Sequence, residues 1–264
     1  MTGALDVPVM LFGVQSDGLA LTADVLDVTA VAVYLAGVWR LSRRGRRWSP
    51  VSTVCFAAGV ASLWIAVGSG LAAYDEQPVA HVVQHALLMM VAPPLLVMGR
   101  PVTLAAQAAS RPIQVRIVKL VHSRALRWFT NPVLGWPLYY GSMCLMLLDR
   151  SVYGYLLGHP LAHDASHLLL VVVGYLYWQP LLDADPSPWR LSPRIRLGSA
   201  VLGAGVDCAL GLLLIAGAGV FTVEAVPAGT VFLVLALPTC SACCPVMLRR
   251  RGVRGLRHRP AAAG

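Results

Sequence analysis

Long apolar stretches alternate with short polar or proline-rich segments along most of the chain. One membrane crossing needs about 20 apolar residues, and the stretch from Val51 to Ala73 contains no charged residue. The pattern predicts seven transmembrane helices, at 24–41, 51–73, 79–99, 130–149, 161–181, 197–221 and 228–248. The predicted fold class is therefore all-α, a polytopic membrane helix bundle whose transmembrane domain covers residues 24–248.

Basic residues occupy alternate segments between these predicted helices. All Lys and Arg residues except Arg150 lie in the segments that follow the first, third, fifth and seventh predicted helices. Because short cytoplasmic loops carry an excess of Lys and Arg, we expect the N-terminus outside the cell and the C-terminus in the cytoplasm. Residues 1–23 then form a short extracytoplasmic tail, which lacks the features of a removable signal peptide. Residues 249–264 form a basic cytoplasmic tail.

Composition agrees with a membrane protein and argues against nucleic-acid binding. Hydrophobic residues make up 57% of the chain and charged residues 12%, with a mean hydropathy of +0.68, whereas soluble domains contain about 25% charged residues. The net charge of +9 comes from the alternating loops, where basic residues face anionic lipid. The strong preference for Arg over Lys points to a bacterial source, so the expected location is the bacterial plasma membrane.

All six cysteines fall within predicted helices, which makes a disulfide framework improbable. Three of them cluster near the C-terminus, at Cys240, Cys243 and Cys244. They could bind a soft metal, but a second cysteine pair is not evident, and small polarizable packing residues are the simpler interpretation.

Two predicted helices each begin with a pair of histidines four residues apart. His81 and His85 open the third helix, and His163 and His167 open the fifth. This spacing places both imidazoles of a pair on one helix face. With a rise of about 1.5 Å per residue, the first histidine of each pair lies about 3 Å below the outer start of its helix and the second about 9 Å below it. The two pairs are therefore level and can face each other.

Two further side chains extend this candidate site toward the middle of the bilayer. Met89 continues the His81–His85 stripe by another four residues, and Asp207 lies near the centre of the sixth helix. An ionisable residue inside a membrane indicates function by default. Imidazole and thioether together suit copper, with zinc and iron as weaker alternatives, so the predicted ligands of a copper site are His81, His85, His163, His167, Met89 and Asp207.

Other functions remain open at this stage. Histidines on paired helices can ligate haem in a membrane electron carrier, and Asp207 could serve a small-molecule or ion transporter. A helix-borne metalloprotease lacks its glutamate beside the first histidine, and neither a Walker motif nor a dinucleotide fingerprint occurs. We therefore expect a protein that is not an enzyme.

The chain resembles the CtaG type of bacterial cytochrome c oxidase assembly factor over about residues 30–215. The resemblance rests on five segments, namely Tyr34-Leu-Ala-Gly-Val-Trp-Arg40, His81-Val-Val-Gln-His85 with its continuation to Pro93-Pro94, Asn131-Pro132, His163-Asp-Ala-Ser-His167, and Gly174 to Pro186. It implies a membrane protein that helps to build the oxidase, with oxidase subunits as partners and copper as cargo handled on the outer face.

The resemblance also implies that His81, His85, His163 and His167 are the ligands. The sequence departs from the family's pattern at two places. Asp207 stands where many relatives have a histidine, and the polar, glycine-bearing stretch that usually precedes the last helix is missing between Phe221 and Pro227.

Overall fold

The computed structural model describes residues 18–74, 77–217 and 226–236. Within these ranges the secondary structure is helical and contains no strand, so the predicted all-α fold class is confirmed. The tails at 1–17 and 249–264, the end of the seventh predicted helix and the Cys240 cluster lie outside the described residues.

Twelve α-helices, one 3₁₀ turn and one π turn make up the described chain. The α-helices are α1 (Gly18–Arg43), α2 (Pro50–Val67), α3 (Pro78–Ala86), α4 (Ala92–Met98), α5 (Pro101–Ala108), α6 (Arg111–Val121), α7 (Arg124–Phe129), α8 (Pro132–Leu148), α9 (Arg150–Gly158), α10 (Pro160–Leu182), α11 (Pro193–Ile215) and α12 (Val226–Ala236). The 3₁₀ turn covers Gly70–Tyr74, and the π turn Leu87–Val91 joins α3 to α4.

Five helices in the described part of the chain are long and apolar enough to cross a membrane. They are Leu21–Arg43, Pro50–Val67, the composite Pro78–Ala108, Pro160–Leu182 and Pro193–Ile215. Two of the seven predicted spans correspond to shorter apolar helices, Pro132–Leu148 and Val226–Ala236. The molecule is therefore a helical membrane protein, and seven crossings and their orientation stay predictions.

Three predicted boundaries are corrected by the structure. The first helix begins at Gly18 instead of residue 24, and the sixth ends at Ile215 instead of residue 221. The second helix ends at Val67 instead of residue 73, because the Gly68 and Ser69 amides both donate to the Trp64 carbonyl and close the last turn. The chain then continues as the 3₁₀ turn.

The composite third span lies at the centre of the bundle. α4 packs between α2 and α10, while α1 covers α2 and α5 on one side. On the other side, α8 packs on α10, and α11 contacts both. α1, the third span and α10 run in the same direction. We call the end where α3 and α10 begin the histidine end, and the opposite end the arginine end.

The proline pair in the third span produces the π turn. Pro93 has no amide hydrogen, so the carbonyl of Met89, four residues earlier, lacks its helical partner. Two side chains donate to that carbonyl instead, Trp178 Nε1 at 3.3 Å and the Tyr139 hydroxyl at 3.5 Å. Gly174 on α10 brings its backbone directly against the same place. The proline pair therefore also lies at the contact between the third span and α10.

At the arginine end, the loop after α10 is tied to the start of α5. The Asp185 carboxylate accepts from the backbone amides of Val102 at 2.8 Å and Thr103 at 2.7 Å, and from the Thr103 hydroxyl. Burial raises the pKa of the Asp185 carboxyl, while these hydrogen bonds act in the opposite direction. Arg100, held in the left-handed region at φ 56°, donates from Nε to the Ala184 carbonyl at 3.0 Å.

The same loop is also held from α11. Arg196 is buried and donates to the carbonyls of Leu181 and Leu182, with Asp183 as an ion-pair partner at 3.9 Å. Gln179 Nε2 donates to the Pro186 carbonyl at 2.8 Å. The segment from Gln179 to Pro186 therefore has a structural role, because its hydrogen bonds fix the position of α10 along α4.

We expect Gly174→Ala to destabilise the protein by about 1–3 kcal/mol, because overpacking in a close contact costs that much. A Cβ at this position would lie 2.7 Å from Pro93 Cγ and 2.9 Å from the Met89 carbonyl oxygen. The measurement is the thermal unfolding temperature in detergent. Gly141→Ala on α8 is the matched control, since its Cβ would meet nothing within 4 Å; equal melting temperatures for the two variants would contradict the close contact.

Candidate metal centre

Four imidazoles from α3 and α10 meet at the histidine end of the bundle. The ring centroids of His81 and His163 are 6.2 Å apart, and those of His85 and His167 are 5.8 Å apart. Within each helix the two rings of a pair are 4.0 Å and 4.3 Å apart. The two pairs therefore face each other, as their spacing and depth predict.

The four rings are buried, with relative exposures between 1% and 8%. Both ring nitrogens of His85 are buried and have no hydrogen-bond partner among the described residues, and the same holds for His167 Nε2. A buried polar group without a partner costs free energy. These nitrogens are thus available to a ligand that enters the site.

Two groups of side chains in the described chain could hold a metal ion, and they share His163. The first is His81, His85 and His163, and the second is His163, Asp164 and His167. In each group the candidate ligand atoms lie within 4.8 Å of one another. A metal with bonds near 2 Å holds its ligand atoms about 3–4 Å apart, so small side-chain adjustments would close either group around an ion.

The second group lies on the wall of a cavity of about 700 Å³. We call this cavity the vestibule. It is bounded by the first turns of α1, the end of α2 and its 3₁₀ turn, α3 and the start of α10. Its polar lining includes Asp27, Gln84, His163, Asp164 and His167. Two carboxylates beside the imidazoles favour cations in this space.

Tyr153 is a site residue that the sequence analysis missed. It lies on the short helix α9 and contacts His81 edge-to-face, with ring centroids 4.9 Å apart. The Asp149 side chain caps α9 by accepting from the amides of Ser151 and Val152. The contact depends on the placement of α9 beside α3, which the sequence does not show. The N-cap residue Asp149 could have predicted the helix α9 itself.

Gln84 was also missed as part of the site. The side chain is fully buried, and Nε2 donates to the Ala66 carbonyl at 2.8 Å. This bond ties α3 to the end of α2. The Gln84 amide therefore helps to hold His81 and His85 in place.

Met89 lies beneath the imidazoles, as its position in the stripe predicts. It is buried and lines, together with His85, a second and much smaller cavity of about 10 Å³. The structure therefore places the Met89 side chain next to the site.

Asp207 is not brought into either histidine group. It is buried on α11, on the same face as Gly203, where an added Cβ would collide with the Tyr140 hydroxyl. Asp207 is close enough to Tyr140 to interact with it electrostatically. Its metal-binding role stays a prediction, and its observed surroundings are the aromatic layer of α8 and α10.

The other described histidines and cysteines lie apart from the site. His159 is exposed and stacks on Tyr155, and His122 is exposed directly after the end of α6. The cysteines Cys55, Cys144 and Cys208 are free thiols.

Comparison with known proteins identifies the family. A family model described as cytochrome c oxidase caa3 assembly factor matches residues 32–227. Uncharacterized proteins of Mycobacterium bovis and Mycobacterium tuberculosis are each 31% identical over 173 residues, which cover 62% of this chain and 26% of theirs. An uncharacterized protein of Mycobacterium leprae is 28% identical over 184 residues, 66% of this chain and 28% of its own.

The chain thus spans about a quarter of the length of the curated relatives that it matches. No solved structure matches it.

We expect diethyl pyrocarbonate to modify His122 and His159 quickly and His81 and His85 slowly. Reaction at a buried ring requires local opening, and each 1.4 kcal/mol of opening free energy slows it about tenfold. Peptide mass spectrometry over a time course measures the rate at each histidine. Modification of His81 as fast as that of His159 would contradict the buried arrangement.

Proposed function

The chain belongs to the cytochrome c oxidase caa3 assembly factor family, and on that premise we propose that it binds copper between α3 and α10 and passes it to the oxidase. Copper is the cargo in this proposal. The protein holds and releases it without catalysing a reaction. Its partners are the oxidase subunits that receive the metal.

The observation that carries the proposal is the convergence of four buried imidazoles from two helices. Two of these imidazoles, His85 and His167, have ring nitrogens without a hydrogen-bond partner among the described residues. Polar side chains inside a membrane bundle are costly, so they are expected where a function needs them. Neutral imidazole nitrogens are good ligands for copper. The donor set and its geometry therefore fit the proposed cargo.

The vestibule offers a path along which a cation can reach these imidazoles. Asp27 and Asp164 face this space, and carboxylates raise the local concentration of cations. We call His163, Asp164 and His167, which border the vestibule, the outer group, and we call His81, His85 and His163 the inner group. A copper ion would meet the outer group first and reach the inner group through His163, which both groups share.

We further propose that the histidine end faces outward across a bacterial plasma membrane. The basic residues after α1, after α4 and after α10 collect at the opposite end, and the positive-inside rule places such residues in the cytoplasm. Counting α8 and α12 as additional crossings gives the seven-span topology, with the N-terminus outside and the C-terminus in the cytoplasm. Copper would then be taken up from the outer side of the membrane.

The test is the double variant His85→Ala/His167→Ala in the full chain. We expect the purified protein to lose bound Cu(II), measured per chain by inductively coupled plasma mass spectrometry after desalting. Oxidase activity in membranes of cells that carry the variant should fall, because the copper centre is not filled. The amount of inserted protein should stay near the native level.

His159→Ala is the matched control, because it removes an exposed imidazole at the same end of the bundle. This variant should keep both the bound copper and the oxidase activity. Unchanged copper content in the double variant would overturn the proposal. A Soret band that persists in the purified native protein would instead favour a haem-binding electron carrier.

A further inference from the structure

Four methionine side chains surround the small cavity below His85. Met89 and Met90 come from the π turn, and Met143 and Met146 come from α8. All four are buried, with relative exposures between 1% and 6%. The cavity holds about 10 Å³, which is close to the space that one water-sized sphere occupies.

Met89 and Met90 continue the face of α3 that lines the cavity. Val82, His85, Ala86, Met89 and Met90 all line it, at the i, i+3, i+4, i+7 and i+8 spacing of one helix face. On α8, Met143 and Met146 are three residues apart and therefore share a face. Two separate helical segments thus contribute methionines to the lining of the same small cavity.

The four methionines are the potential soft ligands in an otherwise apolar lining. The cavity is lined by them and by Val82, His85, Ala86, Leu147, Leu170 and Phe232. Thioether sulfur is polarizable and is the softest donor among these side chains. His85 also belongs to the inner imidazole group, so the cavity and the candidate metal centre share a side chain.

We propose that Met89, Met90, Met143 and Met146 form a second metal site, for a soft monovalent cation such as Cu(I) or Ag(I). Thioethers select such ions over harder divalent ones. The inference rests on the proposed function, because His85 links the imidazole group to this site. Only an ion that is already monovalent passes from the imidazoles to the thioethers, so the transfer exchanges ligands without a change of charge and needs no reductant.

The site is tested by replacing two thioethers in the full-length protein with leucine, as Met143→Leu/Met146→Leu. Leucine and methionine have similar volumes, so the bundle should keep its fold. Silver is the probe because Ag(I) needs no reductant. We expect the double variant to bind one Ag(I) fewer per chain after desalting, while the amount of bound Cu(II) stays at the native level. X-ray absorption at the silver edge should show fewer sulfur neighbours.

Met98→Leu is the matched control. Met98 packs against the same core but does not line the cavity, so this variant should bind as much Ag(I) as the native protein. The cysteines are the same in all three proteins, and their silver binding therefore cancels. Unchanged silver binding in the double variant, or an equal loss in Met98→Leu, would overturn the inference.

If the double variant cannot be purified, Met146→Leu alone decides the question through its silver affinity. A tenfold or larger weakening supports the site, and an unchanged affinity overturns it. Failure of this inference is distinct from failure of the proposed function. Loss of Cu(II) in His85→Ala/His167→Ala with silver binding untouched in the methionine variants would leave the imidazole site standing and remove only the methionine site.

Discussion

The missing amide of Pro93 is the constraint on which the arrangement of this bundle depends. It frees the Met89 carbonyl, which Trp178 and Tyr139 then satisfy from α10 and α8. An unsatisfied carbonyl in an apolar bundle would be costly, so three helices are held together at one backbone atom. Gly174 permits the close approach. With the Arg100–Ala184 bond at the arginine end, two fixed points set the register of α10 beside the third span.

That register determines the chemistry at the histidine end. Because the third span and α10 run side by side in the same direction, their opening turns reach the same level, and His81 and His85 meet His163 and His167. The ligand types change along the molecule. Carboxylate and imidazole border the vestibule, imidazoles alone form the inner group, and thioethers surround the small cavity beneath. Harder ligands therefore lie toward the opening and softer ligands toward the interior.

The segments on which the resemblance to the family rests have two physical roles. The histidine segments carry the candidate chemistry, whereas the segments around Tyr34 and from Gln179 to Pro186 are structural. The Tyr34 hydroxyl donates to the Gly99 carbonyl at 2.6 Å and accepts from Trp48 Nε1 at 3.0 Å. These bonds satisfy backbone and indole groups where α4 ends. The segments that carry the resemblance thus include residues that support the site from more than 20 Å away, by the helical rise of about 1.5 Å per residue.

Local pattern was enough to determine the helical class, the placement of most helices and the facing histidine pairs, because helix periodicity depends only on neighbouring residues. It could not reveal the Tyr153 contact with His81, the vestibule, the methionines of α8 beside Met89, or the position of Asp207 among the tyrosines. Each of these depends on which helices become neighbours. That choice was decided in the tertiary structure, by the few backbone groups that needed partners from a distant part of the chain.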